Sequence, residues 1–213
     1  MTALSDLILE RNAAVLNRML DHPFVQALSA GTLSVRSWHR YLVHEGAFVD
    51  TAISIFAFAT AKAPDLAAKR RLIGVQDALA REQMPYFERC YAELGVETDI
   101  AIPAAVRDFD AGMLEIARDG DFADIVTAMF AAEWMYWTWC SEAAMRDIPD
   151  PDVRRWVDLH VDADFAAQAR WLKDMIDTVA GPGDLDRLSA VFARVTELEI
   201  AFHDAPLSEP ADA

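Results

Sequence analysis

Glycine and proline stand mostly at the boundaries of long segments in this chain, and those segments have helical periodicity. The sequence contains 8 glycines and 9 prolines in 213 residues. Between these residues the apolar side chains recur at intervals of three and four, and no alternating run typical of a β-strand is visible. This pattern predicts an all-α fold, a helical bundle with a ligand pocket in its centre.

The boundary residues predict seven helices. Ser34 is the expected N-cap of a long helix, and Asp150 with Pro151 has the N-cap and first-turn proline of another helix start. Pro85 is expected to kink the helix in which it lies. The predicted helices cover residues 4–20, 35–62, 66–94, 104–118, 122–146, 151–179 and 184–204.

Length and charge limit the class of protein. A chain of 213 residues with 54% hydrophobic residues suits one large domain. We expect that domain to cover residues 1–205 and residues 206–213 to be a flexible tail. The net charge of −16 argues against nucleic acid and against an anionic membrane surface as partners.

Two further features predict a cytoplasmic location. The N-terminus lacks the basic start and long apolar core of a secretory signal, and the most apolar stretch, residues 51–61, is too short to span a bilayer. Cys90 and Cys140 are far apart in the sequence, which disfavours a disulfide framework and a zinc site.

One carboxylate lies in the most aromatic segment. Residues 131–140 read Ala-Ala-Glu-Trp-Met-Tyr-Trp-Thr-Trp-Cys, so at helical spacing Glu133 shares a face with Tyr136 and Trp137. A carboxylate among rings is costly unless it is paired, hydrogen-bonded or protonated. Glu133 is therefore a candidate acid, base or ligand anchor, unless this stripe of the helix is open to water.

Three other helices also have a single ionisable group in an apolar face. The stripes are Trp38-Tyr41-Glu45-Phe48, Val153-Trp156-His160-Ala163 and Phe192-Val195-Glu199-Phe202. Each has an ordinary structural explanation, since the two glutamates can belong to solvated edges and the histidine to the core. Periodicity alone does not show that these groups face one cavity.

Five groups of short motifs are distributed over nearly the whole chain. They are His22-Pro23-Phe24 with Gly31-Thr32-Leu33, Trp38 with Tyr41-Leu42-Val43-His44-Glu45, Glu82 with Tyr86, Phe87 and Glu93-Leu94-Gly95, Trp156-Val157-Asp158-Leu159-His160 with Phe165, and Glu199-Ile200-Ala201-Phe202. In this order and spacing they resemble the motifs of the TenA family, the thiaminase II and aminopyrimidine aminohydrolase group. The resemblance implies a haem-oxygenase-like all-α fold.

The resemblance also implies roles for individual residues. Glu45, where aspartate is usual in the family, would bind the amino and ring-nitrogen edge of a pyrimidine, and Glu199 would be catalytic. Phe48, Phe109 and His160 stand where the family has pocket tyrosines. The implied pocket therefore has fewer hydroxyl groups.

The cysteine nucleophile of many family members has no clear counterpart. Those members carry Cys-x-Trp-x-Tyr in the fifth helix, where Trp134 and Tyr136 match and the cysteine position is Ala132. A shift of one residue puts Glu133 there instead, and Cys140 lies about two helical turns away. In this respect the chain resembles a subgroup of the family that lacks this cysteine and relies on glutamate.

The chemistry that the resemblance implies fits the candidate residues. Hydrolytic deamination of an aminopyrimidine needs a flat apolar slot, which Phe48, Phe109, Tyr136 and Trp137 can supply. Two carboxyls that share one pocket tend to split their pKa values into an acid and a base. We predict that Glu133 and Glu199 hydrolyse a C–N bond of an aminopyrimidine or thiamin-breakdown product in thiamin salvage, with no cofactor and no metal.

Three alternatives stay open. The chain fits a non-catalytic protein that binds a small aromatic ligand. It also fits a haem-oxygenase-like di-iron oxidase, because His160 with Asp164 and Glu199 with His203 have i, i+4 spacing, although the usual paired Glu-x-x-His is absent. Relatives are often labelled transcriptional regulators, but a charge of −16 makes any such role indirect.

The resemblance implies a homotetramer, since relatives of this fold usually form one. Met129, Phe130 and Trp139 fit a subunit interface as well as a core. The predicted partners are therefore a small pyrimidine ligand and further copies of the chain.

Overall fold

Residues 2–208 are described by a computed structural model, and within this range the chain forms helices and no β-strand. The all-α prediction is confirmed. The helices are α1 (Leu4–Arg11), α2 (Ala13–Leu20), α3 (Pro23–Ser29), α4 (Val35–Lys62), α5 (Leu66–Ala78), α6 (Met84–Leu94), α7 (Ala104–Asp119), α8 (Phe122–Ala144), α9 (Pro151–Leu159), α10 (Ala163–Val179) and α11 (Leu185–Asp204).

The predicted count of seven helices is wrong. Two of the predicted segments are each divided into two helices, and a single polar side chain lies at each division. The Asn12 side chain donates to the Ile8 carbonyl at 2.9 Å, at the junction of α1 and α2. The Asp162 carboxylate accepts from the Phe165 amide at 2.7 Å, which starts α10 as a separate helix.

Proline and a local cap account for the other two differences. The short helix α3 was not predicted; it begins at Pro23, and the ring of His22 accepts from the Phe24 amide at 3.2 Å. Pro85 does not simply kink one helix. A π-helical segment, Leu79–Gln83, precedes α6, and Pro85 occupies the first turn of α6, a position at which proline is tolerated.

The two predicted N-caps are confirmed. Ser34 Oγ accepts from the Ser37 amide at 3.0 Å and starts α4. The Asp150 carboxylate accepts from the first amides of α9, with Asp152 N at 2.9 Å. Side-chain caps that satisfy these amides fix helix starts locally, which is why sequence alone locates them.

The described chain divides into two compact units. Unit 1 contains residues 2–33 and 126–200, and unit 2 contains residues 34–125 and 201–208. The single domain over residues 1–205 stays a prediction.

In unit 2, polar contacts fasten α4 to α5 and to the end of α7. Gln76 Nε2 on α5 donates to Thr60 Oγ1 at 2.8 Å. Lys62 Nζ, at the end of α4, donates to the carbonyls of Ala117, Arg118 and Gly120 at 2.8, 2.9 and 2.6 Å. A cation at the C-terminus of α7 also opposes the negative end of that helix dipole.

In unit 1, a carboxylate joins the first helix to α10. Ser5 donates from its amide and its hydroxyl to the Asp177 carboxylate at 2.8 and 2.7 Å. Met129, Phe130 and Trp139 are buried within this chain. These three residues are therefore part of the core of the chain itself.

The segment after α11 is packed as far as it is described. Ala205–Leu207 forms a 3₁₀ turn in which Ala205 and Pro206 are buried. Arg40 donates to the Ser208 carbonyl at 2.6 Å. The remainder of the predicted flexible tail, residues 209–213, lies outside the described residues.

Among residues 2–208, only α4 is long and apolar enough to cross a membrane, and 56% of its most apolar window is buried inside the protein. Buried core helices of globular proteins meet the same criteria, so this property is a weak indication of a membrane span.

Candidate functional site

Three phenylalanines of unit 2 form a continuous aromatic cluster. The ring centroids of Phe48 and Phe109 are 4.7 Å apart, and those of Phe109 and Phe202 are 5.2 Å apart. Phe109 and Phe202 are buried, whereas Phe48 is half-buried. The structure thus brings together two of the predicted slot residues, and Phe48 leaves one end of this Phe48–Phe109–Phe202 cluster partly accessible.

The α4 turn that carries Glu45 contacts a tyrosine of α6. Glu45 is 8% exposed. The Tyr91 hydroxyl donates to the Leu42 carbonyl at 2.9 Å. Burial, then the negative charge of Glu45, then Cys90, raise the pKa of the Tyr91 phenol. Glu45 therefore lies within electrostatic reach of Tyr91, and the solvated edge considered for it is wrong.

Tyr91 was not singled out from the sequence. A signal was present, because Gly46 lies inside a 28-residue helix, and glycine in a helix interior often marks a close approach by another group. Asp110 on α7 was also missed. It is half-buried, its Oδ1 has no hydrogen-bond partner within residues 2–208, and burial raises its pKa to about 6.

His44 lies beside Glu45 and is 1% exposed. Its ring is 6.2 Å from that of Phe202, and its Nδ1 has no hydrogen-bond partner in the described part of the chain. Burial, and secondarily the positive charge of Arg40, lower the pKa of His44 to about 4. His44 is therefore neutral at neutral pH.

The lowered pKa of His44 predicts acid sensitivity. In the unfolded chain the imidazole binds a proton near pH 6.5, while in the folded protein it resists protonation down to about pH 4. Stability is therefore fully present above pH 6.5 and is lost as the pH falls. Between pH 7 and pH 5 we expect His44→Leu to become about 2 kcal/mol more stable relative to wild type. Denaturant unfolding at each pH measures this difference.

Asp110→Asn is the matched control of opposite sign. Because the pKa of Asp110 is raised, its carboxylate destabilises the folded protein at pH values above that pKa. Protonation relieves this destabilisation as the pH falls, so wild type should gain stability relative to Asp110→Asn between pH 7 and pH 5. A difference between His44→Leu and wild type that stays constant from pH 7 to pH 5 would contradict the prediction.

In unit 1, Tyr136 and His160 meet in an aromatic group. Their ring centroids are 5.3 Å apart, and the His160 ring is 4.0 Å from Trp156 and 5.0 Å from Phe165. His160 Nδ1 lies 2.9 Å from the Trp156 carbonyl. A carbonyl only accepts, so Nδ1 is the donor in this contact.

The two predicted catalytic glutamates both belong to unit 1. Glu199 on α11 is 2% exposed, and Glu133 on α8 is half-buried. The solvated face considered for Glu199 is therefore wrong. The pairing of Glu133 with Glu199 stays a prediction.

Trp137 has contacts on the side of α10. Its ring centroid is 5.0 Å from that of Trp134, and Arg170 Cζ lies 4.7 Å from the Trp137 ring. A guanidinium over an indole is a stabilising cation–π contact. The substrate contact predicted for Trp137 stays a prediction.

The alternative nucleophile and metal ligands have the following surroundings. Cys90, Cys140 and Ala132 are all buried. Within residues 2–208, no group of three or more His, Cys, Asp or Glu side chains is arranged to hold a metal ion. The i, i+4 pairs of His160 with Asp164 and Glu199 with His203 thus belong to no three-ligand cluster there.

The described part of the chain is an all-α protein in which carboxyl groups are buried on helices that also present aromatic rings. The chain belongs to the TENA/THI-4/PQQC family, whose model matches residues 10–209.

Two curated relatives and a solved structure extend this comparison. The chain is 25% identical to "Aminopyrimidine aminohydrolase" of Halalkalibacterium halodurans, over 89% of this chain and 88% of the relative. It is 22% identical to the protein of the same name from Helicobacter pylori, over 87% and 89%. "TenA homologue protein from P.horikoshii OT3" has a TM-score of 0.90 at 19% identity, covers 96% of this chain and 98% of its own, and supports the fold alone.

Proposed function

We propose that this protein is a TenA-type hydrolase that breaks a C–N bond of an aminopyrimidine or thiamin-breakdown product, in thiamin salvage. The observation that carries the proposal is the burial of Glu45 and Glu199, together with the half-buried Glu133, on helices that also present aromatic rings. Buried carboxyls are uncommon and occur often at functional sites, and the two curated relatives carry the name of this activity.

Binding is assigned to side chains that match the shape and polarity of an aminopyrimidine. Phe48 and Phe109 stack on the ring, with the partly accessible Phe48 at the open end of their cluster. The Glu45 carboxylate accepts hydrogen bonds from the amino group and so selects one orientation of the ring. Tyr136, Trp137 and His160 are the remaining proposed contacts.

Proton transfer is assigned to Glu133 and Glu199. One carboxyl donates its proton to the leaving nitrogen while the other, as carboxylate, takes a proton from water. The water oxygen forms a C–O bond as the C–N bond breaks, and the nitrogen leaves as ammonia. We propose that no thiol takes part, as in the subgroup that lacks the cysteine.

The setting of the enzyme is proposed on the same basis. We propose a cytoplasmic location, because the two cysteines lie far apart in the sequence and no disulfide framework is expected. We propose no nucleic-acid or anionic-membrane partner, because of the charge of −16. We propose a homotetramer. Leu66 and Ile73 of α5, 60% and 56% accessible, are two exposed apolar side chains of unit 2 that a second copy can cover.

Parallel incubation with thiamin, aminopyrimidine and formylaminopyrimidine, followed by mass spectrometry, tests the proposal. We expect an amino group of the aminopyrimidine to be replaced by hydroxyl, with release of ammonia. Tight binding without turnover would instead favour the ligand-binding alternative. Iron found by elemental analysis of protein purified without chelator would favour the oxidase.

A further inference from the structure

Tyr91 bonds to the helix turn that bears the proposed substrate-binding carboxylate. Its hydroxyl donates to the Leu42 carbonyl at 2.9 Å, and Leu42 lies three residues before Glu45 on α4. The carbonyl belongs to the backbone of that turn. The bond therefore ties α6 to the segment of α4 from which the Glu45 side chain projects.

Gly46 makes this approach possible. A Cβ at position 46 would overlap the Tyr91 hydroxyl oxygen and would lie 3.1 Å from both Phe87 Cγ and Tyr91 Cζ. Glycine is unfavourable in a helix interior, so its presence within α4 fits a need for close packing. The phenol lies against the backbone immediately after Glu45.

The chemistry of the phenol decides how it can act on Glu45. A tyrosine hydroxyl has one proton, and Tyr91 gives that proton to the Leu42 carbonyl. It therefore has no proton to donate to the Glu45 carboxylate. Its influence on Glu45 is exerted through the position of the backbone and through the packing on Gly46.

We propose that Tyr91 is a positioning residue that holds the Leu42–Gly46 turn and so aims the Glu45 carboxylate at the amino edge of the pyrimidine. This inference rests on the proposed function and deepens it. A binding group must be held within about 0.5 Å of its productive position. Because Glu45 is assigned to binding and not to proton transfer, loosening of its support should weaken substrate binding more than it lowers the rate of the chemical step.

Kinetics of Tyr91→Phe test the inference, because the variant keeps the ring and loses only the hydroxyl. We expect KM for the aminopyrimidine to rise about fivefold to tenfold and kcat to change by less than about twofold. In a Glu45→Gln background the same substitution should leave KM nearly unchanged, since the group it positions is gone. Tyr86→Phe, on the same helix, is the matched control and should keep wild-type kinetics.

An equal effect of Tyr91→Phe in the two backgrounds would indicate general loosening of the fold and would overturn the inference. An unchanged KM in the wild-type background would do the same.

A readout without substrate separates this inference from the proposed function. The ¹³Cζ resonance of Tyr91, identified by its loss in Tyr91→Phe, should move in Glu45→Gln, while that of Tyr86 should not. If wild type hydrolyses none of the pyrimidines, the proposed function fails, and this resonance alone decides whether Tyr91 and Glu45 are coupled. If the Tyr91 resonance does not shift in Glu45→Gln, Tyr91 and Glu45 are not coupled and the inference is overturned.

Discussion

Glu199→Gln should release ammonia from an aminomethylpyrimidine about 100-fold more slowly than wild type. Glutamine keeps the shape of glutamate but neither gives nor takes a proton at neutral pH, and proton transfer by a positioned side chain contributes about 10²- to 10⁴-fold to a rate. Because Glu199 is 2% exposed, water cannot readily replace it. The loss should fall on kcat and leave KM nearly unchanged, as expected for a group that acts in the transition state.

Two companion variants make this result specific. Glu133→Gln should also lower kcat, and the double variant should be little slower than the slower single variant, because residues that act as a unit are not additive. Glu197→Gln is the matched control on the same helix, since its side chain is 50% exposed and pairs with Arg18 at the surface. Full activity of both Glu133→Gln and Glu199→Gln would dismiss the catalytic assignment.

The sequence predicts helices well where their ends are set by local chemistry. The range predicted for α4, residues 35–62, agrees with Val35–Lys62, because the Ser34 cap at its start is legible in the sequence. The breaks at Asn12 and Asp162 were missed. Each depends on whether one polar side chain turns back onto the backbone, and both outcomes are compatible with the same periodicity.

The environment of Glu45 could not be predicted from periodicity because α4 is covered on several sides. It packs against α5, α6, α7 and the Ala205–Leu207 turn, all in unit 2. Consecutive residues 41–46 are consequently all buried, including the adjacent His44 and Glu45. In a helix with one buried face, one of two residues adjacent in sequence is expected to reach solvent. A helix that is covered by other helices on several sides does not follow this rule.

The contact of Tyr91 with Gly46 depends on how α6 is aligned along α4. The pattern of residues within one helix does not encode that alignment. The π-helical segment Leu79–Gln83 adds to the difficulty, since a π turn shifts the face that the following helix presents. Phe48 and Phe109 were found through family resemblance, and the structure brings their rings into contact.

Gly46→Ala should lower the free energy of unfolding by about 3 kcal/mol. The added methyl group would overlap the Tyr91 hydroxyl and crowd Phe87 Cγ at 3.1 Å, so the phenol must move and its bond to Leu42 is lost. Overpacking costs about 1–3 kcal/mol and a lost hydrogen bond about 1 kcal/mol, while the better helix propensity of alanine offsets up to about 1 kcal/mol. Denaturant unfolding monitored by circular dichroism measures the change.

The origin of this loss can be isolated with two further variants. Tyr91→Phe should restore part of the stability in the Gly46→Ala background, because it removes the overlapped oxygen but leaves the tight contact with Phe87. Gly74→Ala is the matched control, since nothing lies within 4 Å of a Cβ there, and it should gain about 0.5–1 kcal/mol from propensity alone. If Gly46→Ala gained stability as Gly74→Ala does, the close approach of α6 to α4 would be wrong. The support proposed for Glu45 would then be lost with it.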